Sequence, residues 1–155
     1  MKLTSSQEEY LKTIYILEKN KKKVRVTDIA LKLKITKPSV NKGINVLKEM
    51  ELVNYQAYGN IMLTEQGKNY AREIIKKQGI LEMFLVEILN IEKKQAEEEA
   101  TAMKHVISEK TIQRLNQYIT QVMNLEDLDC DYDETSEKCR NCAKIKAKKR
   151  LEQQK

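Results

Sequence analysis

A mainly α-helical fold with one small hairpin is predicted by three observations on this chain. Its 155 residues contain a single Pro and four Gly, which leaves little room for loops. Apolar residues recur at spacings of three and four, the period of an amphipathic helix. Two short runs with strand composition, Leu52 to Tyr55 and Ile61 to Leu63, flank Tyr58-Gly59-Asn60, where Gly and Asn tolerate positive φ.

Taken in order, Ser5 with Glu8 three residues later reads as a capping box, followed by a helix with Tyr10, Ile14 and Leu17 on its apolar stripe that ends near Lys21-Lys22-Lys23. Thr27 stands as the N-cap of a short helix with Ile29, Ala30 and Leu33 on one face, stopping near Ile35. Thr36 caps the next helix. Pro38 sits in its first turn, where a missing N–H costs nothing, and Val40, Ile44 and Leu47 line its inner face. The strand-like runs then form a hairpin. Thr64 caps a further helix, with Glu65 in the first turn where the helix dipole favours an anion, running to about Lys77 and meeting Gly79. Two helices, a turn and a hairpin from Val24 to Gly67 make a winged helix-turn-helix, whose usual task is to lay its second helix in the DNA major groove.

Past the wing, Ile80, Leu81, Phe84, Leu85, Ile88 and Leu89 repeat as adjacent pairs, an apolar face wider than one helix needs for its own domain. Lys93 to Val106 reads as a helix with Ala96, Ala100 and Met103 inward, and Ser108 caps a last helix carrying Ile112, Leu115, Ile119 and Val122. The expected organisation is a DNA-binding domain over 1–77, a helical dimerisation domain over 78–125, and a Cys-containing acidic segment with a basic tail over 126–155.

Charge follows the same division. Residues 1–77 hold 16 Lys and Arg against 8 Asp and Glu, residues 78–143 hold 7 against 14, and residues 144–155 hold 6 against 1, within a net charge of +6. The basic excess lies on the proposed DNA domain, where phosphate attraction is its simplest use; the acidic centre would repel DNA and suits a dimer or effector module. No apolar run reaches membrane-spanning length and the start is polar, so the expectation is a cytoplasmic protein without membrane contact. One His, no glycine-rich phosphate loop and no nucleophile with an evident base argue against an enzyme.

Glu9-Tyr10-Leu11 with Thr13-Ile14-Tyr15, Val26-Thr27-Asp28-Ile29-Ala30, Lys37-Pro38-Ser39-Val40, Leu63-Thr64 with Gly67, and His105-Val106-Ile107-Ser108 carry a resemblance over about residues 3–123. The chain resembles the diphtheria toxin repressor and manganese transport regulator family of metal-dependent transcriptional repressors. That resemblance implies a homodimer on a palindromic double-stranded operator, with metal joining the first helix to the dimerisation helices. Carried over residue by residue, most of the family's metal site is replaced. Glu9 keeps a ligand position, Lys12 stands where manganese-type members have a carboxylate, Gln78 replaces a His, Thr101 replaces a carboxylate or thiol, and Lys104 replaces the Glu before the last His, which is His105. Glu82 and Glu97 match an ancillary site of iron-type members.

A protonated lysine cannot ligate, and its charge opposes a nearby divalent ion, so Mn²⁺ or Fe²⁺ is not expected to bind this site with useful affinity. Lys12 or Lys104 either pairs with Glu9 or another acid in place of the metal, or points into solvent. His105 is read either as a hydrogen-bonded helix residue or as a remnant ligand.

All three cysteines, Cys130, Cys139 and Cys142, lie in one segment with the spacing C-x8-C-x2-C. Three thiolates supply most of a tetrahedral set for zinc or an iron–sulfur cluster; a redox-active thiol group and an incidental tail are the alternatives. For DNA contact, Ser39, Asn41 and Lys42 are the candidates for base edges, and Thr27, Lys37 with Pro38, Tyr58 and Asn60 for the backbone. The function that emerges is a homodimeric transcriptional repressor with a degenerate metal site. A constitutive regulator without effector and a winged-helix protein-interaction module are its rivals.

Overall fold

The computed structural model describes residues 3–20, 23–55 and 59–123, with the backbone pairs 132–133 and 138–139. The chain divides into two compact units, Met1–Ile74 and Ile75–Lys155.

The first unit begins with α1 (Ser5–Asn20). Its N-terminal box is formed one residue earlier than the sequence suggests: the Thr4 N–H donates to Gln7 Oε1 at 2.8 Å and the Gln7 N–H to Thr4 Oγ1 at 3.4 Å. The apolar stripe is also wider than expected. Leu11 and Ile14 are fully buried, and Thr13, Tyr15 and Ile16 are buried beside them, because α1 is covered by α2 (Val26–Leu33), α3 (Lys37–Glu49) and the hairpin strand β2 (Ile61–Leu63).

Helix α2 starts one step before Thr27. Arg25 is its N-cap, in extended conformation, and the Asp28 carboxylate accepts the Arg25 N–H at 2.9 Å, so Thr27 lies inside the first turn rather than capping it. Lys34 ends α2 in the left-handed region, with φ of 55°, and this makes the tight turn into α3. There the expected cap is present: Thr36 Oγ1 accepts the Ser39 N–H, and Pro38 sits in the first turn. Strand β1 (Val53–Tyr55) pairs antiparallel with β2, Val53 opposite Leu63 and Tyr55 opposite Ile61. The Ile61 N–H also donates to the Val24 carbonyl at 2.9 Å, tying the hairpin to the segment before α2.

Thr64 closes the wing and opens α4 (Glu65–Met83). Its Oγ1 accepts the Gly67 N–H at 3.0 Å and donates to the Glu51 carbonyl at 2.8 Å. A Cβ at Gly67 would collide with the Leu52 carbonyl, so this crossing of helix and strand requires glycine.

The second unit contains the end of α4, a π-helical turn Phe84–Ile88, α5 (Lys93–Met103) and α6 (Glu109–Val122). Gly79 does not break α4 as its composition suggests. Its cost of about 1 kcal/mol relative to Ala is outweighed by burial of Ile80, Leu81 and Met83 around it. These residues pack with Leu85, Ala96, Ala100, Ile112 and Ile119; the two alanines are fully buried and allow close helix approach. Ser108 caps α6 by accepting the Thr111 N–H at 3.2 Å. Val122, expected inside, is exposed. Strands β3 (Tyr132–Asp133) and β4 (Lys138–Cys139) pair antiparallel. Among the described residues no helix is long and apolar enough to cross a membrane.

Candidate nucleic-acid interface and the metal positions

Helix α3 separates its two faces sharply. Val40, Ile44 and Leu47 are fully buried, whereas Lys37, Pro38, Ser39, Asn41 and Lys42 are exposed on the other side. The residues expected to meet DNA therefore share the open face of one helix anchored by its apolar residues.

Two tyrosines hold this helix, and the sequence reading gave neither that role. The Tyr10 hydroxyl donates to the Ser39 carbonyl at 3.3 Å, and its ring occupies the space beside Gly43, where an added Cβ would lie 2.8 Å from the ring's Cδ2 and closer to its edge. From the wing, the Tyr55 hydroxyl donates to Asn41 Oδ1 at 3.3 Å. Tyr10 is legible in sequence only as a member of an apolar stripe and Tyr55 only as a strand residue. Their partners lie 29 and 14 residues away.

The other DNA candidates are placed less uniformly. Ser39 Oγ lies 2.9 Å from Thr36 Oγ1, so its hydroxyl takes part in the cap. Thr27 is exposed in the first turn of α2. Asn60 Oδ1 accepts the Val24 N–H at 2.7 Å, which commits that oxygen to the fold of the wing. Tyr58 lies outside the described residues. A second tie to the wing comes from α1, where the Glu18 carboxylate accepts the Leu63 N–H at 2.7 Å. Burial pushes the Glu18 carboxyl above its ordinary range, against the opposing influence of that N–H and of the Lys68 and Lys19 charges.

In the first unit, Lys12 Nζ stands 4.0 Å from Glu9 Oε2, both partly buried, so the cation in a ligand position is near the remaining carboxylate. In the second unit, the Gln78 amide donates to Glu82 Oε1 at 2.7 Å and to Thr101 Oγ1 at 3.3 Å, while Thr101 Oγ1 donates to the Glu97 carbonyl at 2.8 Å. Glu97 also faces Lys93 at 3.5 Å. Lys104 is only 2% exposed, which overturns the expectation of a solvent-directed side chain for this residue. His105 is partly buried. Nearby, Lys77 Nζ donates to the Ile107 carbonyl at 2.9 Å and pins the segment after α5.

These residues do not fit the hard divalent ion that the resemblance implies. Lys12 and Lys104 offer only N–H groups where lone pairs are needed, and Gln78 donates to the Glu82 carboxylate and the Thr101 hydroxyl. Among the described residues no three His, Cys, Asp or Glu side chains converge as a metal-binding group. Cys130 and Cys142 lie outside the described residues, and for Cys139 only the backbone pairing with Tyr132 is described.

Comparison with known proteins matches both halves of the chain. Residues 2–61 match the iron dependent repressor N-terminal DNA binding domain, and residues 64–125 match the iron dependent repressor metal binding and dimerisation domain. An HTH-type transcriptional regulator of Methanocaldococcus jannaschii is 34% identical over 114 residues, covering 73% of this chain and 91% of that protein. The HTH-type transcriptional regulator MntR of Bacillus subtilis is 29% identical over 116 residues, covering 75% of this chain and 81% of that protein. Among solved structures, the manganese regulator SloR superposes with a TM-score of 0.68 at 29% identity, covering 76% of this chain. IdeR of T. acidophilum superposes with a TM-score of 0.65 at 28% identity, also covering 76% of this chain. The chain spans 55% of the length of each of these two structures.

Proposed function

The chain belongs to the iron-dependent repressor family, and from that premise we propose that it acts as a homodimeric, DNA-binding repressor whose operator binding does not depend on Mn²⁺ or Fe²⁺ at the family's metal positions. The observation that carries the DNA reading is the exposed row of Lys37, Ser39, Asn41 and Lys42 above a fully buried inner face of α3. Each α3 of the dimer enters a major groove, Asn41 and Lys42 reaching base edges and Lys37 meeting phosphate. Tyr58 and Asn60 at the wing and Thr27 on α2 add backbone contacts.

Metal independence is supported by the chemistry of the replaced positions. A buried Lys104, a Lys12 beside Glu9, and a Gln78 amide directed at Glu82 put donors and positive charge where a cation would need acceptors. Glu9, Glu82, Glu97 and His105 are remnants of the ligand sets. We assign soft-metal chemistry to Cys130, Cys139 and Cys142, whose three thiols suit zinc or an iron–sulfur cluster.

The test is operator binding by the full chain of recorded iron and zinc content, using duplexes selected from a randomised library. The expected result is salt-dependent binding of a dimer, unchanged by added Mn²⁺ or by chelation at the family site. Lys37→Ala should weaken all duplexes alike and lower the salt slope by about 1. Binding that appears only with Mn²⁺ would refute metal independence, and absence of salt-dependent DNA binding would refute the DNA reading itself.

A further inference from the structure

We infer that Tyr55, on wing strand β1, determines the base preference of the recognition helix by holding the Asn41 carboxamide in one orientation; this rests on the reading of α3 as the helix that enters the groove. A free asparagine amide presents two nearly isosteric edges, an acceptor oxygen and a donor NH₂, and rotation about its last torsion exchanges them. Asn41 is exposed, one turn into α3, and the Tyr55 hydroxyl decides between the two. A phenol O–H is a better donor than acceptor, because its lone pairs are delocalised into the ring, and at 3.3 Å it faces Asn41 Oδ1.

The consequence concerns base chemistry. With Oδ1 held on the wing side, the NH₂ group is turned away from Tyr55. The oxygen keeps a second lone pair. Adenine requires that combination: its N7 accepts from the amide nitrogen while its N6 amino group donates to the amide oxygen. The phenol bond also polarises the carboxamide, strengthening the donation to N7, and it fixes the rotamer before DNA arrives, so less side-chain freedom is lost on binding. Tyr55 itself is held by its place in the hairpin, opposite Ile61, which is fully buried. The wing thus acts as a positioning element for the recognition helix in addition to any phosphate contact it makes. Tyr55 acts through Asn41 and is a positioning residue.

The experiment compares the sequence preferences of the parent, Tyr55→Phe, Asn41→Ala and the double variant, each as full-length dimer, by selection from a randomised duplex library and by titration against single-base variants of the selected site. Tyr55→Phe removes one oxygen and keeps the ring, so thermal stability and affinity for unrelated duplex should stay at the parent level. The discrimination for adenine at one base pair of each half-site should fall by about two- to tenfold, the range of one neutral hydrogen bond. Asn41→Ala should alter preference at the same base pair, and adding Tyr55→Phe to it should change nothing more. An unaltered Tyr55→Phe profile beside an altered Asn41→Ala profile would overturn the inference, as would a change at a different base pair. If Asn41→Ala leaves every preference intact, Asn41 is not a base reader and the inference falls with that assignment. If no protein selects any sequence, the DNA reading fails first.

Discussion

In the first unit the polar residues of α3 assigned to DNA contact stand outside an apolar interior, whereas in the second unit Gln78 and Lys104 are buried. Among the described residues the buried polar side chains are Thr13 in the first unit and these two in the second. A helix that must meet DNA keeps its donors and acceptors in water until the partner arrives, so their desolvation is postponed to binding. A buried amide or ammonium has already lost its water, and it must be compensated within the protein. In the second unit Gln78, Glu82, Thr101 and the Glu97 carbonyl form one hydrogen-bonded network.

The contrast can be broken most directly at Lys104. Lys104→Met keeps most of the volume but removes the charge from a side chain that is almost wholly buried. The expected loss is about 3 kcal/mol or more, read as a lowered thermal or denaturant midpoint. A midpoint equal to the parent's would mean that the interior of the second unit does not depend on that charge. The companion change, Lys12→Glu with Lys104→Glu, places carboxylates at both positions and should introduce a Mn²⁺ response in operator binding; no response in this variant beside a parent that binds only with Mn²⁺ would overturn the proposed metal independence.

Next in size is Gly67→Ala in the first unit. The new Cβ meets the Leu52 carbonyl, a backbone atom that can move only with the wing. A loss of about 3 kcal/mol is expected, the upper part of the range for overpacking, with the helix-turn-helix unit most affected in hydrogen exchange. Equal protection in parent and variant would show that the helix–wing crossing has slack.

Gly43→Ala should cost less, about 1–2 kcal/mol, because the obstacle is the buried Tyr10 ring rather than backbone. Its sharper readout is DNA affinity, since α3 must shift away from α1 to make room. Stability lost with affinity unchanged would separate the Tyr10 contact from recognition.

The smallest effect belongs to Glu18, the partly buried carboxylate that serves the wing. Its folded pKa lies above the ordinary value because burial outweighs the Leu63 N–H and the nearby lysines. In the window between the ordinary and the raised value the folded protein holds more protons than the unfolded one. Stability from this group is thus present at lower pH and is lost as pH rises through the raised value. Glu18→Gln retains an acceptor for Leu63 and should flatten that part of the pH–stability curve. An unchanged slope would assign it to other carboxylates.

Much of the fold is legible in the sequence itself. The caps at Thr36, Thr64 and Ser108 form as their sequences suggest, because a cap is a contact over three residues. The division of α3 into Val40, Ile44 and Leu47 inside and Lys37, Asn41 and Lys42 outside follows from helix period alone. Errors arose where local signals competed. Thr4 with Gln7 took the capping role read for Ser5 and Glu8, Asp28 supported a start of α2 ahead of Thr27, and burial of the flanking residues carried α4 through Gly79.

By itself the sequence determined the helix period, the caps, the hairpin and the separation of basic from acidic regions, since each depends on neighbours within a few residues. Tertiary structure decided which polar groups lie inside and what they touch. Tyr10 with Ser39, Glu18 with Leu63, and Gln78 with Thr101 are pairs separated by 29, 45 and 23 residues. Lys104 carries no mark of burial in its composition. A lysine is ordinarily exposed, and only the packing of the helices around it takes its ammonium out of water.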